Sequence, residues 1–201
     1  VSGRTWDPSV FDRIYAASED PWAFRSSPYE QEKYRATLDL LPERRFGSGL
    51  EIGCSIGVLT AQLAQRCGAL LAIDCAEAAI ARAQAECAAC EDVRFAMHHV
   101  PGSFPDGRFE LIVVSEVLYF LSLDDVARLA ARCDQALLPG GVVLLANWTG
   151  QTDTPSTGEA AADAFIASSR AISLSETRRA GTYRLDRLVW RGDRAGGAVA
   201  G

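Results

Sequence analysis

Leu50-Glu51-Ile52-Gly53-Cys54-Ser55-Ile56-Gly57 joins a short apolar run to a helical pattern, with an acidic residue two places before the first of two spaced glycines. Gly53 has no side chain, so the backbone there can turn sharply and let a ligand approach. Gly57 is expected to let the helix over residues 58–67 pack tightly on the sheet. Glu51 is a poor neighbour for a pyrophosphate, since like charges repel. Beside a ligand that carries an ammonium or sulfonium it is well placed. Charge therefore points to S-adenosyl-L-methionine rather than to NAD, and the loop also lacks the second glycine of GxGxxG.

Working outward, residues 50–52 and 70–73 read as short buried parallel strands, followed by strands at 93–97, 111–114 and 142–146. Helical patterns separate them at 58–67, 76–90 and 123–137. Asp124 and Asp125 suit the first turn of the last helix, where the dipole favours negative charge. Pro139-Gly140-Gly141 is expected to end that helix and turn the chain into the fifth strand. The alternation from about residue 48 to 147 predicts an α/β fold with a doubly wound, mostly parallel sheet, whose ligands bind beyond the carboxyl ends of the strands.

The ends differ from this core. Residues 1–46 carry Trp6, Trp22, Phe24, Tyr29 and Tyr34, with a helix predicted over 29–41. They form the expected N-terminal helical lid and substrate-side segment. Residues 149–158 read as a loop and 159–169 as a helix. Segments 173–179 and 183–191 then form an antiparallel hairpin around Ala180-Gly181-Thr182, bringing the sheet to seven strands. A single domain is expected, with its core over 47–192 and a flexible tail at 193–201.

Composition is that of an ordinary globular protein, with 48% apolar and 23% charged residues. A net charge of −6 excludes a nucleic-acid-coating surface. No apolar run reaches the roughly 18 residues needed to cross a bilayer, and residues 1–12 carry no secretory pattern. The six cysteines are scattered through helix and strand patterns, which fits free thiols in a cytoplasmic protein. Cys87 and Cys90 make one CxxC without a second pair, on what reads as a helix. His98 and His99 have no third ligand at useful spacing, so no metal site is expected. Lys33 is the only lysine, a bias that reads as genome composition.

Asp74 ends the second strand about 20 residues after Gly53, the spacing at which an acid grips two ribose hydroxyls. It is equally placed to cap the helix beginning near Ala76. His98, His99 and Val100 follow the third strand and are expected at the adenine. Ser115 and Glu116 follow the fourth, where the transferable group meets its acceptor. Glu116 can orient an amine, take its proton, or hold the cofactor's methionine part. As a residue opening a helix it also favours the dipole. Tyr119 supplies a further oxygen. Asn147 and Trp148 end the fifth strand and either shape the acceptor pocket or belong to the core.

Glu51-Ile52-Gly53-Cys54, Ile73-Asp74, the segment from Phe109 through Ser115-Glu116-Val117-Leu118-Tyr119 to Leu121, and Leu138-Pro139-Gly140-Gly141 resemble class I SAM-dependent methyltransferases with their Rossmann-like sheet. The chain is similar in particular to the NodS-type nodulation N-methyltransferases. It shares with them the Glu-Ile-Gly-Cys loop, the Ile-Val-Val-x-Glu-Val-Leu-Tyr segment, and Asp20-Pro21-Trp22 followed by Pro28-Tyr29-Glu30-Gln31-Glu32-Lys33. Two positions depart from the superfamily pattern. Ser55 replaces the middle glycine of the loop, and His99 stands where an acidic residue often meets the adenine.

The resemblance implies S-adenosyl-L-methionine as cofactor, S-adenosyl-L-homocysteine as product, and N-methylation of the free amine of a de-N-acetylated, chitin-type oligosaccharide of Nod-factor type. Other small amine or hydroxyl acceptors, or a non-catalytic cofactor-binding module, are the alternatives. The expected cofactor wall comprises Glu51, Gly53, Cys54, Ser55, Gly57, Asp74, Cys75, His98, His99, Val100, Ser115 and Glu116. Trp22, Tyr29, Tyr119 and Trp148 are the expected acceptor contacts. Glu116 and Tyr119 are the catalytic candidates, with Glu116 the first choice of base and His98 or His99 the second.

Overall fold

The computed structural model describes residues 3–191. The tail expected to be flexible at 193–201, and the last residue of the expected core, lie outside them. In chain order the elements are α1 (Ser9–Ala17), α2 (Pro28–Asp39), β1 (Gly49–Ile52), α3 (Val58–Ala64), β2 (Leu70–Asp74), α4 (Glu77–Glu86) and β3 (Val93–Met97). There follow β4 (Phe109–Ser115), a 3-10 turn (Leu118–Phe120), α5 (Leu123–Ala136), β5 (Leu137–Trp148), α6 (Gly158–Ser168), β6 (Ile172–Ala180) and β7 (Tyr183–Trp190).

The strands form one sheet in the order β3-β2-β1-β4-β5-β7-β6. The first five are parallel, and β7 runs antiparallel between β5 and β6. Apolar runs without alternation make sense here because both faces of the sheet are covered. Ile112 and Val114 of β4 pack with Leu129 of α5 and Phe165 of α6, while Leu111 and Val113 pack on the other face with Tyr34 of α2 and Leu63 of α3. Strand order reverses between β1 and β4, so the crevice beyond their carboxyl ends is the place for a ligand.

Several boundaries differ from expectation. The helix after the glycine loop stops at Ala64, because the chain turns so that Cys67 can bridge Phe46 in parallel. The α4 helix stops at Glu86. Cys87 is its cap and Cys90 lies in the following turn, so the two thiols are not carried on one helix. Pro139-Gly140-Gly141 does not end α5, which stops at Ala136. It lies inside the long β5 as an irregularity, where pairing with β4 jumps from Phe109↔Leu137 to Leu111↔Val142. Proline has no N–H for the ladder, so pairing fails there.

The N-terminal part holds a helix that the sequence reading did not place, α1. The second helix begins at Pro28, one residue before the expected start, with Ser27 accepting from the Glu30 amide and Pro28 at the first helical position. Residues 3–24 wrap over the crevice. The Trp6 amide donates to the Phe120 carbonyl at 2.9 Å, and Arg82 of α4 donates to the Tyr15 and Ser18 carbonyls at 2.8 and 2.9 Å. No helix among the described residues is long and apolar enough to cross a membrane.

Candidate active site

A cavity of about 760 Å³ opens beyond the ends of β1 and β4, roofed by the N-terminal segment. Its floor is the loop from β1 to α3. Gly53 has φ +88°, and a Cβ there would lie 2.4 Å from Val117 Cγ2 and 2.5 Å from the Ser115 carbonyl oxygen. Only glycine fits where the end of β4 presses so closely on the loop. Gly57 has φ +89°, but it does not line the cavity. A Cβ there would meet the Ala83 backbone at 2.9 Å, so Gly57 serves close packing of the loop on α4 rather than on the sheet or a ligand.

Glu51 is 1% exposed and borders the cavity, yet neither carboxylate oxygen has a hydrogen-bond partner among the described residues. Burial pushes its carboxyl up to about 7, and the nearby Asp74 charge adds to the rise. The Thr60 hydroxyl lies close enough to ease the charge without completing a hydrogen bond. Asp74 ends β2 and accepts from the Ser55 amide at 2.9 Å and the Ala76 amide at 3.1 Å. Burial raises its carboxyl too, against those backbone donors. Asp74 therefore ties the glycine loop to β2 and meets the α4 start in the same arrangement. Cys54, Ser55, Cys75, His98, His99, Val100 and Ser115 all reach the cavity wall. The His98 ring also meets the Ser103 hydroxyl at 2.9 Å.

Ser55 stands in the left-handed region at φ +49°. Its hydroxyl lies 2.6 Å from that of Tyr15, so the residue in place of a glycine holds α1 over the loop. Trp22 packs edge-on against Tyr15, on this side of the cavity. Tyr29 packs instead against Trp148, with 5.8 Å between ring centroids. Asn147 is fully buried and does not line the cavity, unlike Trp148.

The remaining wall centres on Glu116, held at φ +58° just past β4, with its amide bonded to the Ala146 carbonyl of β5. A non-glycine residue keeps such a conformation only when its surroundings over-determine it. Glu116 Oε2 accepts from the Tyr119 hydroxyl at 2.6 Å and the Trp148 amide at 2.9 Å, and Oε1 accepts from Lys33 Nζ at 2.6 Å. Burial, then Glu116, holds the Tyr119 hydroxyl well above the ordinary tyrosine range. Lys33 is 2% exposed and lies 2.8 Å from Glu30 Oε2. Burial disfavours its ammonium, but Glu116 and Glu30 outweigh that and hold its pKa above the usual lysine value. Sequence reading did not pick out Lys33, Glu30 or Tyr15 for the site. The available signal for the first was that the chain has no other lysine. Among the described residues no three His, Cys, Asp or Glu side chains group to hold a metal ion.

The family model described as nodulation protein S (NodS) matches residues 10–144. A nodulation protein S of Sinorhizobium fredii is 37% identical over 112 residues, covering 55% of this chain and 51% of that protein. The chain spans about half the length of the nodulation relatives it matches. Phosphoethanolamine N-methyltransferase 1 of Arabidopsis thaliana is 31% identical over 122 residues, covering 59% of this chain and 25% of that protein. Among solved structures, the N-methyltransferase NodS of Bradyrhizobium japonicum WM9, in complex with S-adenosyl-L-homocysteine, superposes with a TM-score of 0.79. That match has 26% identity and covers 91% of this chain and 97% of that one.

Proposed function

Because the chain belongs to the nodulation protein S (NodS) family, we propose that it uses S-adenosyl-L-methionine to methylate the free amine of a de-N-acetylated, chitin-type oligosaccharide. The observation that carries the reading is Glu116, a carboxylate fixed at the cavity wall by three hydrogen bonds with acceptor capacity left over. The residues present fit the cofactor. The buried, unpartnered Glu51 carboxylate suits its cationic methionine end, Asp74 suits the ribose hydroxyls, and the turn at Gly53 admits close backbone approach.

When bound, S-adenosyl-L-methionine supplies an electrophilic methyl on a sulfonium. The chain then has to align the acceptor and exclude water, which together can lower a barrier by up to about 7–11 kcal/mol. An amine attacks only when neutral, so Glu116 takes its proton. Tyr119 remains a hydroxyl because burial and Glu116 oppose its ionisation. It orients Glu116 and does not act as a base. The segment through α1, held by Tyr15 and Arg82, keeps solvent from the cofactor side. The six cysteines are free, which favours a cytoplasmic location.

A second reading, methylation of another small amine, is favoured by the likeness to a phosphoethanolamine N-methyltransferase. The deciding experiment is transfer of labelled methyl to chitooligosaccharides with and without a free terminal amine. Labelling of the deacetylated sugar alone supports the first reading. Labelling of neither sugar, with a simple amine labelled instead, supports the second. Glu116→Gln is expected to keep S-adenosyl-L-homocysteine binding while lowering turnover on the order of 10²–10⁴-fold. Unchanged turnover with the true acceptor removes Glu116 from the chemistry.

A further inference from the structure

An ionised carboxylate offers about four acceptor positions. On Glu116, Tyr119 and Trp148 occupy Oε2 and Lys33 occupies one side of Oε1, so one position on Oε1 is left. The donor on Oε1 comes from α2, 83 residues away in sequence, and is itself anchored by Glu30, three residues earlier on the same helix. Glu30, Lys33 and Glu116 all line the cavity. Two carboxylates and one ammonium leave this corner with one uncompensated negative charge.

We propose that Lys33, backed by Glu30, is the positioning residue that fixes Glu116 and makes the acceptor slot select a primary ammonium. The inference rests on the methyl-transfer reading and names the group that orients its base. A protonated amine entering the slot meets one open carboxylate position and one unbalanced negative charge. A neutral N-acetylated or hydroxyl-bearing acceptor can donate one hydrogen to that position but gains nothing from the unbalanced charge. Lys33 does not compete as a nucleophile, because its nitrogen is an ammonium donating to two carboxylates.

Because Lys33 is the only lysine, protein made with isotopically labelled lysine carries one side-chain amine signal, which is assigned without further work. In the S-adenosyl-L-homocysteine complex that Nζ signal should move on Glu116→Gln. It should also move on adding de-N-acetylated chitobiose, and stay in place with the fully N-acetylated sugar. Lys33→Met alone strands the buried Glu30 carboxylate and risks misfolding, so the kinetic variant is Glu30→Gln with Lys33→Met, which removes the pair together. That double variant should lose kcat on the order of 10²-fold, the scale set by a misplaced group, with S-adenosyl-L-homocysteine affinity changed less than about threefold. A role confined to stability would lower the unfolding midpoint and leave kcat of the folded protein intact. That result overturns the proposal, as does an Nζ signal that ignores Glu116→Gln. A signal that responds to simple primary amines but not to deacetylated chitobiose supports the selector and overturns only the sugar reading. Silence toward every primary amine in a wild-type protein that binds S-adenosyl-L-homocysteine overturns the selector.

Discussion

Glu51→Gln should make the empty protein more stable at neutral and alkaline pH while weakening its grip on the cofactor. The wild-type carboxyl is buried without a partner and its pKa rises from 4.5 to about 7. At about 1.4 kcal/mol per pH unit of pKa change, keeping the folded, empty protein ionised there costs about 3 kcal/mol. The sign follows from linkage. The folded-state pKa is the higher one, so the folded chain holds its proton after the unfolded chain has lost it. The stability contribution is present below about pH 4.5 and lost as pH rises through about 7. Urea unfolding of wild type and Glu51→Gln at matched pH should therefore give curves that diverge by about 3 kcal/mol across that window and run parallel above it.

Ligand binding should reverse the trend. A cation on the ligand pairs with the ionised carboxylate. Calorimetric affinity for S-adenosyl-L-homocysteine, which keeps the ammonium, should rise up to about tenfold per pH unit below about 7 and level off above it. In Glu51→Gln that component of the pH dependence should vanish, and affinity above the plateau should fall about 10–10²-fold, the worth of one charge-assisted hydrogen bond. The difference between the two proteins isolates Glu51 from other groups that titrate in the window. Parallel stability curves from acid to alkaline pH, or equal affinity on the alkaline side, would refute the assignment of Glu51 to the ligand's cation.

Asp74→Asn keeps size but not charge, and should weaken S-adenosyl-L-homocysteine by about 10–10²-fold in the same calorimetry. A loss of fold without loss of affinity per folded molecule would leave Asp74 as a tie between β2 and the loop. Gly53→Ala places a Cβ 2.4–2.5 Å from Val117 and the Ser115 carbonyl at φ +88°. The expected cost is about 2–4 kcal/mol, read as a lower denaturant midpoint at unchanged slope. Tyr15→Phe removes the 2.6 Å contact with Ser55 and should cost about 1 kcal/mol. It should also speed S-adenosyl-L-homocysteine release in stopped flow, and an unchanged release rate would show that α1 does not hold the cofactor.

What could be read from sequence was what is local. The five parallel strands stood out because both sheet faces are covered, so Leu111 to Val114 are apolar without interruption and all fully buried. The glycine loop and Asp74 lie within one β-α-β stretch, and their meeting at the Ser55 amide follows from parallel pairing of Ile52 with Ile73. Helix ends were misjudged where tertiary pairing took over, as when Cys67 left its helical pattern to bridge Phe46. The α1 helix was legible in Val10, Phe11, Ile14 and Tyr15, spaced to share a helical face, but Pro8 and a short run obscured it. The α2 helix hid the more important fact. Its buried face is Glu30, Lys33, Tyr34 and Thr37, at the i, i+3, i+4, i+7 spacing of a core stripe but with polar side chains. Hydropathy cannot show which face of such a helix turns inward.

On the roles proposed above, Glu51 and Glu116, two of the acids that border the cavity, divide the work in a way that this polar stripe explains. Glu51 is buried with no partner, so once ionised it carries an electrostatic penalty that a cationic ligand relieves. That arrangement favours affinity. Glu116 is bonded before any ligand arrives, by a hydroxyl, a backbone amide and an ammonium. Little of its orientation then remains to be fixed during reaction, an arrangement that favours rate. The second arrangement requires a cation brought in from outside the sheet, since the segment after β4 contributes only the Tyr119 hydroxyl. Helix α2 supplies it by burying a Glu30–Lys33 pair beside Tyr34, and all three side chains line the cavity. A change that leaves Glu116 in place but removes its ammonium partner should therefore act on turnover before it acts on cofactor binding. The opposite order is expected at Glu51.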